Sequence, residues 1–92
     1  MEASLRDMLK HGRKFERMGT DVPGIYIRKI PPSVIEEAYL AVEINPIGKD
    51  GLPTNKIGII IRNTEQLSAI RAILSESKVD EIVQAIEGLD QS

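Results

Sequence analysis

The chain has 92 residues, a formal net charge of −2 and no cysteine. This length suits a single domain with a thin core, and the lack of cysteine excludes disulfides, thiolate catalysis and cysteine-ligated zinc. An apolar content of 41% with 28% charged residues is typical of a folded soluble domain. No apolar run has the length of a membrane helix and no signal peptide is recognisable, so we expect a cytoplasmic protein without a membrane partner.

The first 19 residues predict a helix with a basic side. Apolar residues recur there at helical spacing, and Gly19 is placed to end the helix. The polar side carries five bases, which are Arg6, Lys10, Arg13, Lys14 and Arg17.

Alternating apolar residues predict an antiparallel sheet over residues 25–62. We expect strands at 25–30, within 34–44 and at 56–62, although the start of the second segment, 35–38, also fits a helix. Gly58 interrupts the third strand, which indicates a bulge or a close backbone contact.

Residues 63–89 predict a helical segment. Asn63 and Gln66 have the spacing of a capping box, and residues 75–77 indicate a break or a kink. The apolar stripe of this segment predicts self-association, because a sheet of this size cannot cover it. Its members are Leu67, Ile70, Ile73, Leu74, Val79, Ile82, Val83 and Ile86.

Together these elements predict one α+β domain over residues 1–92. It would combine an N-terminal helix, an antiparallel curved sheet of three to four strands and a C-terminal helix or helix pair.

No pattern of catalytic or metal-binding residues is present, so we predict neither an enzyme nor a cofactor or metal site. His11 is the only histidine, which leaves no paired-histidine metal site and no second candidate for a catalytic triad. The acids 36–37 and 80–81 are adjacent in sequence and therefore point in different directions.

Surface binding is the remaining class of function. Strand alternation places Tyr26 and Arg28 on one face, and Tyr39 lies on the next strand. Cations beside aromatic rings are what sequence-tolerant binding of single-stranded nucleic acid requires. The alternative is that both tyrosines are ordinary half-buried strand residues.

Charge is distributed unevenly along the chain. Residues 1–30 carry a net charge of +3, residues 31–62 of −1 and residues 63–92 of −4. An acidic chain can still bind a polyanion through a local basic patch, although such gradients are also common on solvated faces.

The stretch from Lys56 to Gln66, followed by Leu67 and Ile70, resembles the positive cofactor four family of transcriptional coactivators. In both, a strand with a basic residue, a glycine and an isoleucine leads into a helix whose start contains an asparagine. The strand 40–44 and the loop 45–54 fall at compatible spacing, so the resemblance covers about two-thirds of the chain. Thr64 stands where that family has a helix-opening proline, and the family's later aromatic residues are missing.

The basic segment before the sheet is similar in layout to the ThermoDBP-type single-stranded DNA-binding proteins of archaea. Both resemblances imply unpaired nucleic acid, DNA or RNA, as the ligand. The helix of the coactivator family dimerises, so that resemblance also implies a homodimer or higher oligomer. By positional match the coactivator resemblance implies phosphate contacts from Arg28 and Lys56 on the strands. The ThermoDBP-type layout implies instead that the first helix lines the binding cleft with Arg13, Lys14 and Arg17.

We therefore expect binding of single-stranded nucleic acid with little sequence specificity, through basic strand residues and limited stacking. The alternative is a protein-interaction or assembly module that binds no nucleic acid, which the acidic helical C-terminus favours. The candidate contact residues are Arg28, Lys56, Tyr26, Tyr39, Lys29, Lys49, Arg62, Arg13, Lys14 and Arg17.

Overall fold

The computed structural model describes residues 1–89, which form two compact units. The sheet unit comprises Met1–Arg62, and the helical unit begins at Asn63. The sheet unit contains α1 (Glu2–His11), β1 (Arg17–Gly19), β2 (Ile25–Ile30), β3 (Tyr39–Ile44) and β4 (Ile59–Ile61). The helical unit contains α2 (Thr64–Leu74) and α3 (Ser77–Leu89). The predicted α+β class is therefore confirmed, whereas the single-domain interpretation of 1–92 stays a prediction.

The four strands form an antiparallel, curved sheet in the order β1-β2-β3-β4. Tyr26 lies opposite Glu43 and Arg28 lies opposite Ala41, so the predicted alternation of β2 and β3 is confirmed. The face that carries these residues is called the polar face below. Paired residues of antiparallel strands point to the same side, and Arg17 therefore joins the polar face through its pairing with Arg28.

The predicted helix over 1–19 is wrong in its second half. α1 ends at His11, and Gly12 continues in an extended conformation with φ −65° and ψ 152°. Arg17 then begins a strand that the sequence pattern does not predict. The reason is tertiary, because Arg17 pairs with Arg28 of β2 and its side chain binds the buried carboxylate of Glu43.

The second and third predicted strands are shorter than expected. β3 begins only at Tyr39, and residues 35–38 form neither strand nor helix. A turn replaces them, in which the Ser33 hydroxyl accepts hydrogen bonds from the backbone of Ile35 and Glu36. β4 begins at Ile59, since the chain before it crosses the polar face instead of pairing with β3.

Gly58 confirms the predicted close backbone contact. A Cβ atom at this position would lie 2.2 Å from the carbonyl oxygen of Ile44, which no real side chain tolerates. The chain can therefore pass this close to β3 only as glycine.

In the helical unit the predicted cap and break are both present. Asn63 Oδ1 accepts a hydrogen bond from the Gln66 backbone at 2.8 Å, which begins α2. α2 ends at Leu74 and α3 begins at Ser77. Neither helix contains a buried residue within the part of the chain that the structure describes.

The described core is small and unusually polar. Its buried apolar side chains are Met8, Ala41 and Ile61, and its buried polar ones are Arg28, Lys29, Glu43 and Asn45. In residues 1–89, no helix is long and apolar enough to cross a membrane.

Candidate nucleic-acid interface

A buried carboxylate organises the polar face. The Glu43 side chain is 0% exposed and accepts hydrogen bonds from two arginines. Arg28 Nε donates to its Oε1 at 2.8 Å, and Arg17 donates to both oxygens at 3.0 and 3.1 Å. The Gly58 N–H and the Asn45 side chain donate to Oε2 at 2.7 and 3.0 Å. Five donated hydrogen bonds thus compensate the desolvation of one charge.

These contacts set the pKa of Glu43. Burial by itself raises the pKa of a carboxyl group, but the hydrogen bonds from Arg17, Gly58, Asn45 and Arg28 outweigh it. The pKa of Glu43 consequently falls from 4.5 to about 2. The carboxylate is therefore ionised throughout the neutral range.

The same network fixes the segment that crosses the sheet. The Lys56 carbonyl accepts hydrogen bonds from Arg28 at 2.6 Å and from Arg17 at 2.9 Å. Asn45 adds two hydrogen bonds with the backbone of Asn55, at 2.7 and 3.1 Å. The chain over 55–58 is thereby held against the polar face.

The structure places Arg28, the first of the predicted phosphate contacts, inside the sheet unit. Its guanidinium binds Glu43, the Lys56 carbonyl and the Phe15 carbonyl, and the residue is 8% exposed. Lys29 is buried as well, with Nζ donating to the Gly12 carbonyl at 2.8 Å. Both residues are buried, so their charges are not exposed to a ligand.

Two arginines lie over the two tyrosines. The Arg17 guanidinium is 5.1 Å from the centre of the Tyr26 ring, and that of Arg62 is 3.8 Å from the centre of the Tyr39 ring. Arg62 also forms an ion pair with Glu36 at 2.7 Å.

Both tyrosine rings belong to the polar face. Tyr26 lies two residues before Arg28, and Tyr39 pairs with Ile30, which lies two residues after Arg28 and therefore on the same side of β2. Glu43, the partner of Tyr26, lies four residues after Tyr39 on β3, so the two arginine–tyrosine pairs lie about 14 Å apart along the strand.

The remaining predicted cations are exposed. The Lys56 and Lys49 side chains lie on the long loop between β3 and β4, and Arg13 and Lys14 lie between α1 and β1. Arg13 contacts Glu16 at 3.5 Å, yet its side chain is 90% exposed. The predicted helical face shared by Arg13 and Arg17 does not exist, because neither residue is helical.

Sequence reasoning missed the central role of Glu43 and of Asn45. The available signal was an acid in a strand of apolar neighbours, on the same side as the arginine of the preceding strand. Only the pairing of β2 with β3 shows that the two side chains meet.

Comparison with protein-family models, with curated proteins and with solved structures finds no match for this chain. The resemblances to the positive cofactor four family and to the ThermoDBP-type proteins therefore stay predictions. In the described residues, no three histidine, cysteine, aspartate or glutamate side chains are placed to hold a metal ion.

Proposed function

We propose that this protein binds single-stranded nucleic acid, DNA or RNA, with little sequence preference. The observation that carries the proposal is the pair of guanidinium–tyrosine stacks on one sheet face, Arg17 with Tyr26 and Arg62 with Tyr39. Unpaired bases stack on guanidinium planes as well as on aromatic rings. Each pair thus places a guanidinium plane over an aromatic ring, with Arg17 held by its ion pair to Glu43 and Arg62 by its ion pair to Glu36.

The charge distribution supports the same proposal. The sheet unit carries ten basic and eight acidic residues, whereas residues 63–92 carry two basic and six acidic ones. Inside the sheet unit, Arg13, Lys14, Lys49 and Lys56 have exposed side chains that phosphates can approach. A polyanion would therefore bind the sheet unit through local attraction despite the net charge of −2.

Fluorescence anisotropy with a labelled 20-nucleotide oligo-dT, titrated at several salt concentrations, tests the proposal. We expect tighter binding of this strand than of a blunt duplex of equal length, because paired bases cannot stack on guanidinium planes or aromatic rings. The logarithm of the affinity should fall linearly with the logarithm of the salt concentration. Equal affinity for duplex would indicate a general basic surface instead.

Charge variants locate the phosphate contacts. The double variant R13Q/K14Q should reduce the salt slope by about 1.4, at roughly 0.7 for each lost phosphate contact. K78Q, which neutralises an exposed lysine of α3, is the matched control and should leave the slope unchanged. An unchanged slope in R13Q/K14Q would remove these two residues from the interface.

A second candidate function, self-assembly through the helical unit, is favoured by the absence of buried residues in α2 and α3. Six large apolar side chains of these helices are about half exposed or more. They are Ile73, Leu74, Ile82, Val83, Ile86 and Leu89. Two short helices without buried side chains are unstable in water. We therefore infer that a second copy of this chain covers them.

Sedimentation equilibrium at micromolar concentration tests the assembly. The wild type should be a dimer or larger, and I82Q/I86Q should shift it toward monomer. E81Q, an exposed acid beside Ile82, is the control and should associate like the wild type. A strictly monomeric wild type would contradict self-assembly, and an associating wild type that binds no oligo-dT would leave assembly as the sole function.

A further inference from the structure

Phe15 combines an exposed ring with an uncommon backbone conformation. It is the chain's only phenylalanine, its relative exposure is 47%, and its φ is +60°. Among the described residues it is the one non-glycine position with positive φ. Bulky side chains rarely adopt this conformation, and such outliers cluster at active sites, ligand clamps and switch regions.

The interior of the sheet unit holds Phe15 in this conformation. Its N–H donates to the Lys29 carbonyl at 2.9 Å, and its own carbonyl accepts a hydrogen bond from Arg28. The next residue is held by the same strand, since the Glu16 carbonyl accepts a hydrogen bond from the Lys29 N–H at 3.0 Å. Arg28 also binds Glu43, so the donor to the Phe15 carbonyl is itself held by the buried carboxylate.

The two residues before Phe15 add positive charge beside its ring. Arg13 and Lys14 precede it directly, and both side chains are exposed. The segment thus brings two cations and one aromatic ring together at a rigid turn. This is the combination that contacts the phosphates and the base of an unpaired nucleotide.

We propose that Phe15 is a base-stacking residue, and that Arg13 and Lys14 bind the adjoining phosphates. The inference rests on the proposed function and deepens it, because it names a contact that recognises the base and not only the charge. Stacking on the Phe15 ring requires a free base face, so this contact selects unpaired strands over duplex.

The test compares two labelled 20-mers at one salt concentration, oligo-dT and a strand whose central ten nucleotides are abasic. Both carry the same phosphates, so their affinity ratio reports base contacts alone. We expect the wild type to prefer oligo-dT, and F15N to lose roughly five-fold or more of that preference, as removal of one stacking ring implies. Asparagine tolerates positive φ, so F15N keeps the backbone while it removes the ring. Its thermal unfolding temperature should be no lower than that of the wild type.

L9Q is the matched control, because Leu9 has a similar exposure of 40% and lies beside Lys10 on α1. It should keep the preference for oligo-dT. If F15N also keeps the preference, Phe15 is not a stacking residue, and the proposed function stands without it. If the wild type binds both strands equally, binding is by charge alone and the inference fails. If the wild type binds neither strand, the proposed function itself is wrong.

Discussion

Arg28 Nε donates a hydrogen bond to Glu43 Oε1 at 2.8 Å, across the two central strands of the sheet. Both residues are buried, and Glu43 has no exposed surface. Each therefore compensates a charge that the interior would otherwise not tolerate. Around this pair the structure brings together β1, through Arg17, and the segment over 55–58, through the Lys56 carbonyl and the Gly58 N–H.

Replacement of Glu43 by glutamine should destabilise the protein strongly. E43Q retains the side-chain shape but leaves the buried Arg28 and the part-buried Arg17 without a countercharge. Loss of one partner from a buried ion pair costs about 3–5 kcal/mol. Urea unfolding followed by circular dichroism measures the loss.

E36Q is the control for Glu43, since Glu36 forms a partly exposed ion pair with Arg62. Its effect should stay below about 1 kcal/mol. Comparable losses in the two variants would show that the Glu43 network does not stabilise the fold.

Stability should fall in acid because of Glu43. The pKa of this carboxyl is lowered in the folded protein from 4.5 to about 2. The stabilisation is therefore fully present above pH 4.5 and is lost as the pH falls toward about 2, because only the unfolded chain gains the proton in that range. The urea midpoint measured between pH 7 and pH 2 tests this, and a midpoint independent of pH would contradict it.

Substitution of Gly58 by alanine should unfold or rearrange the crossing segment. The new Cβ would lie 2.2 Å from the Ile44 carbonyl oxygen and 2.9 Å from the Asn45 Cβ. A backbone atom cannot move aside without cost, so we expect a loss of at least about 1–3 kcal/mol.

G19A is the matched control for Gly58, because nothing lies within 4 Å of its added Cβ. Its stability should change by no more than about 0.5 kcal/mol. Thermal unfolding of both variants makes the comparison, and a G58A protein as stable as G19A would refute the close contact.

Removal of the Asn63 side chain should weaken the start of α2. Asn63 Oδ1 accepts from the Gln66 N–H at 2.8 Å, and loss of an N-cap of this kind costs about 0.5–2 kcal/mol. N63A should lower the helical signal near 222 nm and the unfolding temperature. N63D, which keeps an acceptor oxygen, should retain both, and equal losses in N63A and N63D would contradict the cap.

The sequence alone determined several local features of this protein. Strand alternation placed Tyr26 and Arg28 on one face of β2, and the Asn63 cap and the break before Ser77 followed from spacing. These features depend on side-chain period and on contacts within a few residues, which a sequence displays directly.

Only the tertiary structure decided which charges are available to a ligand. Arg28 and Lys56 are both basic residues of predicted strands. The guanidinium of Arg28 is nevertheless buried against Glu43, while the Lys56 side chain is exposed. The end of the predicted first helix is β1 instead, where Arg17 pairs with Arg28 of β2 and its side chain extends across to Glu43 of β3. An acid 26 residues away thus outweighed helical periodicity, since the cost of an uncompensated buried charge exceeds the local preference for helix.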